Sequence, residues 1–210
     1  MSGASGVTVF CDPTLAPALR GAGRGAGYEV AVLCAPAPLM IQQIIRHTHN
    51  DVLVTLGTAM DQAVAANLVL PATRMDGFST SLVLAFHGAF NGILAGARFA
   101  VTDPTTASGL DGRAILAANG LSPARVQGVA TTQDAAFLLT TGAVDIALLY
   151  LTDVMADPRL GVLQVLKAPV AVQTYAAAVN AHAYSPNAGA FIALLRQSAQ
   201  ALAAQGLVSA

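Results

Sequence analysis

The chain has 210 residues, of which 55% are hydrophobic and only 10% are charged, so it can bury a large core and is not intrinsically disordered. Its formal net charge of −1 and the absence of a basic stripe exclude nucleic acid and anionic membranes as obvious partners. No apolar run reaches the roughly 18–20 residues that a membrane span needs.

The first third of the chain alternates between predicted strands and predicted helices. Strands are expected at 7–10, 29–33 and 51–55, and helices at 14–19, 39–46 and 59–66. This order predicts an open parallel α/β sheet, in which ligands bind beyond the carboxyl ends of the strands. The glycine-rich segment 21–27 is predicted to be a loop; because it precedes a strand, it does not fit a dinucleotide-binding turn.

The remaining two thirds predict a second block of the same kind. Strands are expected at 81–85, 98–101, 126–129, 145–150, 162–166 and 175–179, and helices at 113–118, 135–141 and 187–204, with a short helix or turn at 89–94. Residues 131–134 form a predicted capping cluster. We therefore expect two lobes, 1–80 plus 175–210 and 81–174, joined by a two-crossover hinge near Thr80 and Gln173.

The segment 98–120 contains the densest group of candidate ligand contacts. A predicted strand stops at Thr102-Asp103-Pro104, and Thr105, Thr106 and Ser108 follow where a helix should begin. The hydroxyls either cap that helix or, together with its free N–H groups, hold an anion.

Further candidates lie at other predicted strand ends. Cys11 and Cys34 each end a strand, and those strands should be neighbours; the cysteines are either small buried residues or a pair of thiols that face a ligand. Asp12 is a helix cap or a general base, and Tyr150 is a rim tyrosine or a donor to an anion. His47, His49 and Asp51 match a metal motif by letters, but they fall between a helix and a strand, so no metal site is predicted.

Several segments resemble the molybdate-binding component of ABC transporters, a solute-binding family. They are VTVFCDPTLAPAL (7–19), MIQQI with NDVLVTLGTAMDQAV (40–64), RFAVTDP with DGRAIL (98–116), GAVDIALLYLTDV (142–154) and AFIALLRQSAQALAAQGL (190–207). The resemblance covers nearly the whole chain in order. It implies the type 2 periplasmic-binding-protein fold, with two Rossmann-like α/β lobes and a ligand in the cleft between them.

The resemblance also implies a set of ligand-binding positions. In that family backbone N–H groups and hydroxyls hold the oxyanion. Together with the candidates at the strand ends, these positions are Cys11, Asp12, Thr14, Ala37, Thr105, Thr106, Ser108, Gly109, Thr132 and Tyr150. Thr14 stands where serine is usual, and Ala37 supplies no hydroxyl. Any difference in ligand preference from the molybdate-binding family is therefore expected to arise in the first lobe.

Two functions follow from these observations. The first is a solute-binding protein for a small anion, either a molybdate-like oxyanion or a short carboxylate, with no cofactor and no metal. The second is an isomerase similar to aconitate isomerase, in which Cys11, Asp12, Cys34 and Tyr150 would move an allylic proton. The first residues lack a signal-peptide pattern, which predicts a cytoplasmic protein, or a periplasmic one from which the signal peptide has been removed; an ABC transporter permease is an expected partner only if the chain is exported.

Overall fold

The structure is a computed structural model, and it describes residues 5–105, 110–167 and 172–209. The described residues form an α/β structure of ten strands and eight α-helices. The strands are β1 Ser5–Cys11, β2 Tyr28–Cys34, β3 Val52–Leu56, β4 Met75–His87, β5 Arg98–Thr102, β6 Arg125–Val129, β7 Ile146–Tyr150, β8 Leu160–Val165, β9 Val172–Val179 and β10 Val208–Ser209. The α-helices are α1 Ala16–Gly25, α2 Ala37–Ile45, α3 Gly57–Ala65, α4 Gly112–Ala118, α5 Thr132–Thr140, α6 Leu151–Ala156, α7 Ala188–Gln197 and α8 Ala199–Ala203.

The chain divides into two compact units. The first comprises Met1–Ser79 with Thr174–Ala210, and the second comprises Thr80–Gln173. No helix in the described residues has the length and apolar character to cross a membrane.

The first unit is built on a sheet with the strand order β2-β1-β3-β9. β1 runs parallel to β2 and β3, whereas β9 is antiparallel to β3. The residues of β3 before Leu56 are all buried, as expected for a strand covered on both faces. Two core clusters result, one of Val7, Val9 and Phe191 and the other of Phe10 and neighbouring apolar residues.

The second unit is built on a sheet with the strand order β8-β4-β7-β5-β6. β5 is parallel to β6 and β7, and β4 is antiparallel to β7 and β8. β7 is buried up to Tyr150, and apolar clusters cover both faces of this sheet. In both units the parallel strands therefore bring their carboxyl ends to one end of the sheet.

The structure differs from the predicted elements in three places. The predicted glycine-rich loop is helical, because α1 continues to Gly25. Within it Gly23 lets the helix lie against β2, since a Cβ at this position would collide with the side chain of Val30. The predicted last helix is interrupted at Ser198, and no helix forms at 89–94.

Candidate functional site

The carboxyl end of the first sheet is formed by the ends of β1, β2 and β3. A helix follows each strand: a 3-10 helix of Pro13–Leu15 and then α1, followed in turn by α2 and α3. Free N–H groups of helix amino ends are natural donors to anions. Cys11, Asp12, Thr14, Cys34 and Ala37 all belong to this end of the sheet.

Asp12 caps the first of these helices. Its Oδ1 accepts hydrogen bonds from the backbone nitrogen of Thr14 at 3.1 Å and from the Thr14 hydroxyl at 3.0 Å. Burial raises the pKa of the Asp12 carboxyl above its usual value, and the hydrogen bonds from Thr14 counteract part of that rise. The cap interpretation of Asp12 is thus confirmed. The carboxylate also accepts from the Thr14 hydroxyl, which the resemblance assigns to a ligand.

Ala37 is the first residue of α2. Pro36 precedes it, and its side chain cannot cap the helix. The Pro36 carbonyl accepts hydrogen bonds from the backbone nitrogens of Leu39 and Met40. Pro36 and Pro38 have no backbone N–H, so this helix begins with fewer donors than an ordinary helix. The second turn of the first unit is therefore poor in both hydroxyl and backbone donors.

Cys11 and Cys34 are paired in register as the last residues of β1 and β2. The prediction that they end neighbouring strands is confirmed. Cys11 is buried, Cys34 is exposed, and neither forms a disulfide. Because the two residues lie opposite each other on neighbouring strands, their thiols lie side by side.

The carboxyl end of the second sheet is formed by the ends of β5, β6 and β7. Beyond β5, Asp103 Oδ1 accepts from the nitrogen of Thr105 at 2.9 Å and from its hydroxyl at 2.7 Å. These two hydrogen bonds lower the pKa of Asp103. Thr105 therefore closes a local turn around Asp103.

The Thr105 hydroxyl does not cap the next helix. Asp111 caps α4, with its Oδ1 accepting from the nitrogen of Ala114 at 3.0 Å. The capping interpretation of Thr105 is wrong, because its hydroxyl already donates to a nearer carboxylate. Thr106, Ser108 and Gly109 lie outside the described residues.

The amino ends of α5 and α6 complete the second carboxyl end. Thr131 and Asp134 form a reciprocal capping box, which confirms the predicted capping cluster. Thr132, the first residue of α5, is buried. The backbone nitrogen of Tyr150 donates to Asp153 at 3.2 Å.

Gln133 at the start of α5 links it to α6, since its Nε2 lies 3.4 Å from the other oxygen of Asp153. Thr132 thus begins α5, and Tyr150 immediately precedes α6 at the same end of the sheet. The side chain of Gln133 ties these two helices together.

Sequence reasoning overlooked three threonines at these carboxyl ends. The buried side-chain atoms of the described residues that have no hydrogen-bond partner are Asn50 Nδ2 and the hydroxyls of Thr55, Thr80, Thr102 and Thr152. Thr55 lies next to the last residue of β3, Thr102 ends β5, and Thr152 lies in the first turn of α6. The signal available in the sequence was a threonine at the end of an apolar run.

The histidine motif lies at the opposite end of the first sheet. Asp51 is buried and accepts from the backbone nitrogens of Thr8, Tyr184 and Ser185 at 2.8–3.0 Å. It therefore fastens a loop to β1. Among the described residues, no group of three or more His, Cys, Asp or Glu side chains is arranged to hold a metal ion.

Comparison with known protein families identifies a family model that matches most of this chain. The family model described as bacterial extracellular solute-binding protein matches residues 7–207. Comparison with curated protein sequences found no match.

Solved structures with the same fold are distant in sequence. The periplasmic molybdate-binding protein of Azotobacter vinelandii is 16% identical with a TM-score of 0.75, and 97% of this chain and 99% of that chain are covered. A Clostridium difficile protein assigned as the substrate-binding domain of a molybdenum ABC transporter is 15% identical with a TM-score of 0.75, covering 98% and 99%. The sulfate-binding protein SubI of Mycobacterium tuberculosis is 15% identical with a TM-score of 0.63, covering 97% and 86%. These likenesses establish the type 2 periplasmic-binding-protein fold.

Proposed function

This chain belongs to the family of bacterial extracellular solute-binding proteins, and we propose that its solute is a small tetrahedral oxyanion. The ligand accepts hydrogen bonds from neutral donors at the carboxyl ends of parallel strands. Molybdate and sulfate, the solutes named for two structures of the same fold, are both of this class.

The observation that carries the proposal is the set of unpartnered hydroxyls. Thr102 and Thr152 lie at the carboxyl end of the second sheet and Thr55 at that of the first. A buried hydroxyl without a partner costs about 1–3 kcal/mol. In a binding protein that cost is offset when an oxyanion accepts the hydrogen bond, so unpartnered donors favour a ligand that only accepts.

Helix amino ends supply the second argument. α3 begins directly after β3, and α5 and α6 begin just beyond β6 and β7. Backbone N–H groups at such ends carry partial positive charge and suit an anion without any cationic side chain. The proposal also implies an ABC transporter as the partner that receives the solute, and the family description favours export over the cytoplasmic location expected from the first residues.

Titration calorimetry with molybdate, tungstate, sulfate and phosphate tests the proposal, with citrate as the carboxylate comparison. We expect saturable binding of at least one tetrahedral oxyanion, accompanied by about 2.7 kcal/mol of stabilisation at a ligand concentration of 100 Kd. Saturable binding of citrate alone, or of none of these anions, would contradict the proposal.

A matched pair of variants tests whether the oxyanion binds at the carboxyl end of the second sheet. Thr152→Val removes an unpartnered hydroxyl, so oxyanion affinity is expected to fall by roughly tenfold to a hundredfold. Thr140→Val removes a hydroxyl that bonds its own helix at Ala136, at the other end of α5, and affinity should stay unchanged. Equal affinities of the two variants would remove the support that the unpartnered hydroxyls give.

A further inference from the structure

The two cysteines form a close pair on one face of the first sheet. The register aligns Val7 with Val30, Val9 with Val32 and Cys11 with Cys34, so all six side chains lie on the same face. Neighbouring strands are about 4.8 Å apart, within the roughly 4.4–6.8 Å between Cα atoms that a disulfide accepts. The register therefore places the two thiols side by side, and each thiol shifts the pKa of the other.

The members of the pair differ in accessibility. Cys34 ends the outer strand β2 and is exposed, whereas Cys11 has 0% of its surface exposed and packs in the core with Val7 and Val9. A small oxidant in the solvent therefore reaches Cys34 first. Cys11 can be reached only by its neighbour.

The surrounding charges give the pair distinct acidities. The hydrogen bond from Cys11 and the guanidinium of Arg20 lower the pKa of Cys34 to about 7, against the opposing effects of burial and of Asp12. The same hydrogen bond, burial and the charges of Cys34 and Asp12 raise the pKa of Cys11 well above its usual value. Cys34 therefore ionises more readily than Cys11.

We propose that Cys34 and Cys11 form a reversible dithiol–disulfide modification site that reacts with hydroperoxides, with Cys34 as the attacking and Cys11 as the resolving cysteine. An exposed, readily ionised thiol beside a second thiol is the arrangement that this chemistry requires. The proposal concerns the first unit alone and does not depend on the solute.

The reaction is balanced in two steps. The Cys34 thiolate attacks one oxygen of hydrogen peroxide; an S–O bond forms, the O–O bond breaks and hydroxide leaves, so that Cys34 becomes a sulfenic acid. The Cys11 sulfur then attacks the Cys34 sulfur; the S–S bond forms, the S–O bond breaks and the departing hydroxide takes the Cys11 proton as water. Two thiols and one peroxide give one disulfide and two waters.

Mass spectrometry of the intact chain and its peptides tests this site. After treatment with a slight excess of hydrogen peroxide, the wild-type protein should lose two hydrogens in mass, contain a Cys11–Cys34 cross-link within one chain, and regain both thiols with dithiothreitol. The rate should increase with pH as Cys34 ionises around pH 7. Oxidation of Cys34 to sulfinic acid with Cys11 still free, or cross-linking only between chains, would overturn the proposal.

Two variants separate the roles of the cysteines, with circular dichroism to check folding. Cys11→Ser keeps a donor to Cys34 but cannot resolve, so dimedone should trap a sulfenic acid on Cys34. Cys34→Ser should leave Cys11 at least about tenfold slower to oxidise than Cys34 in the wild-type protein, because Cys11 is buried and protonated. Equally fast oxidation of Cys11 in Cys34→Ser would contradict the assigned roles, whereas slow oxidation supports them.

Discussion

Asp12→Asn should tighten oxyanion binding. The Asp12 carboxylate accepts both Thr14 donors, at 3.0 and 3.1 Å. Because Asp12 holds both Thr14 donors, an oxyanion can accept from Thr14 only by displacing the carboxylate, and it then lies about 5–6 Å, or two hydrogen-bond lengths, from that carboxylate. At an effective dielectric constant of about 20, two unit charges at this separation repel by about 3 kcal/mol. Asparagine keeps the helix cap and removes the charge, so we expect the Kd to fall by roughly a hundredfold.

The same carboxylate determines how the affinity for the oxyanion depends on pH. Burial raises the pKa of Asp12 above its usual value. Lowering the pH through this raised pKa neutralises the carboxyl and removes the repulsion, so wild-type affinity should increase as the pH falls. Asp12→Asn should bind with an affinity that no longer follows this titration.

Calorimetry with sulfate is the appropriate assay, because the charge of sulfate stays constant over this pH range. Glu29→Gln is the matched control, since it removes the same charge from an exposed residue near the amino end of β2. A folded Asp12→Asn protein that binds sulfate no more tightly than Glu29→Gln would refute the reasoning. That result would mean that the Asp12 charge has no measurable electrostatic interaction with the bound solute.

Three further predictions concern stability. Thr102→Val should raise the unfolding free energy of the solute-free protein by about 1 kcal/mol in urea titrations, because it removes a buried hydroxyl without a partner; a decrease would mean that the hydroxyl is satisfied. Gly23→Ala should lower that free energy by about 1–3 kcal/mol by forcing α1 off β2, whereas Gly21→Ala in the same helix has room for its methyl group and should raise it by about 0.5–1 kcal/mol. Arg98 lowers the pKa of Asp145 from 3.8 to about 2. The pair therefore stabilises the fold above pH 4, and this stabilisation is lost as the pH falls to about 2. In Asp145→Asn the unfolding free energy should not show this loss between pH 4 and pH 2.

The first carboxyl end illustrates how far sequence reasoning reaches. The strand ends at Cys11 and Cys34 were predictable because apolar runs of strand length stop there, and Asp12 followed by Pro13 is a helix start by local chemistry alone. The bond from the Thr14 hydroxyl to Asp12 was not predictable, because the hydroxyl has several acceptors within reach and the local backbone geometry selects one.

The second carboxyl end was less predictable. The hydroxyls near Thr105 compete with Asp111 for the start of α4, and the sequence offers no measure of which group lies nearer the free N–H groups. The role of Gly23 was likewise misjudged, because a glycine that permits close packing and a glycine that bends a loop look alike in a sequence.

Local sequence patterns specify the alternation of strands and helices and the α/β class, because hydrophobic period, strand length and cap chemistry are local properties. The family came instead from the resemblance of whole segments to a known family. The tertiary structure decided which side chains meet. Strand register placed Cys11 beside Cys34, and burial left Thr102 and Thr152 without hydrogen-bond partners. Register and burial depend on contacts between residues far apart in the chain, and no local pattern specifies them.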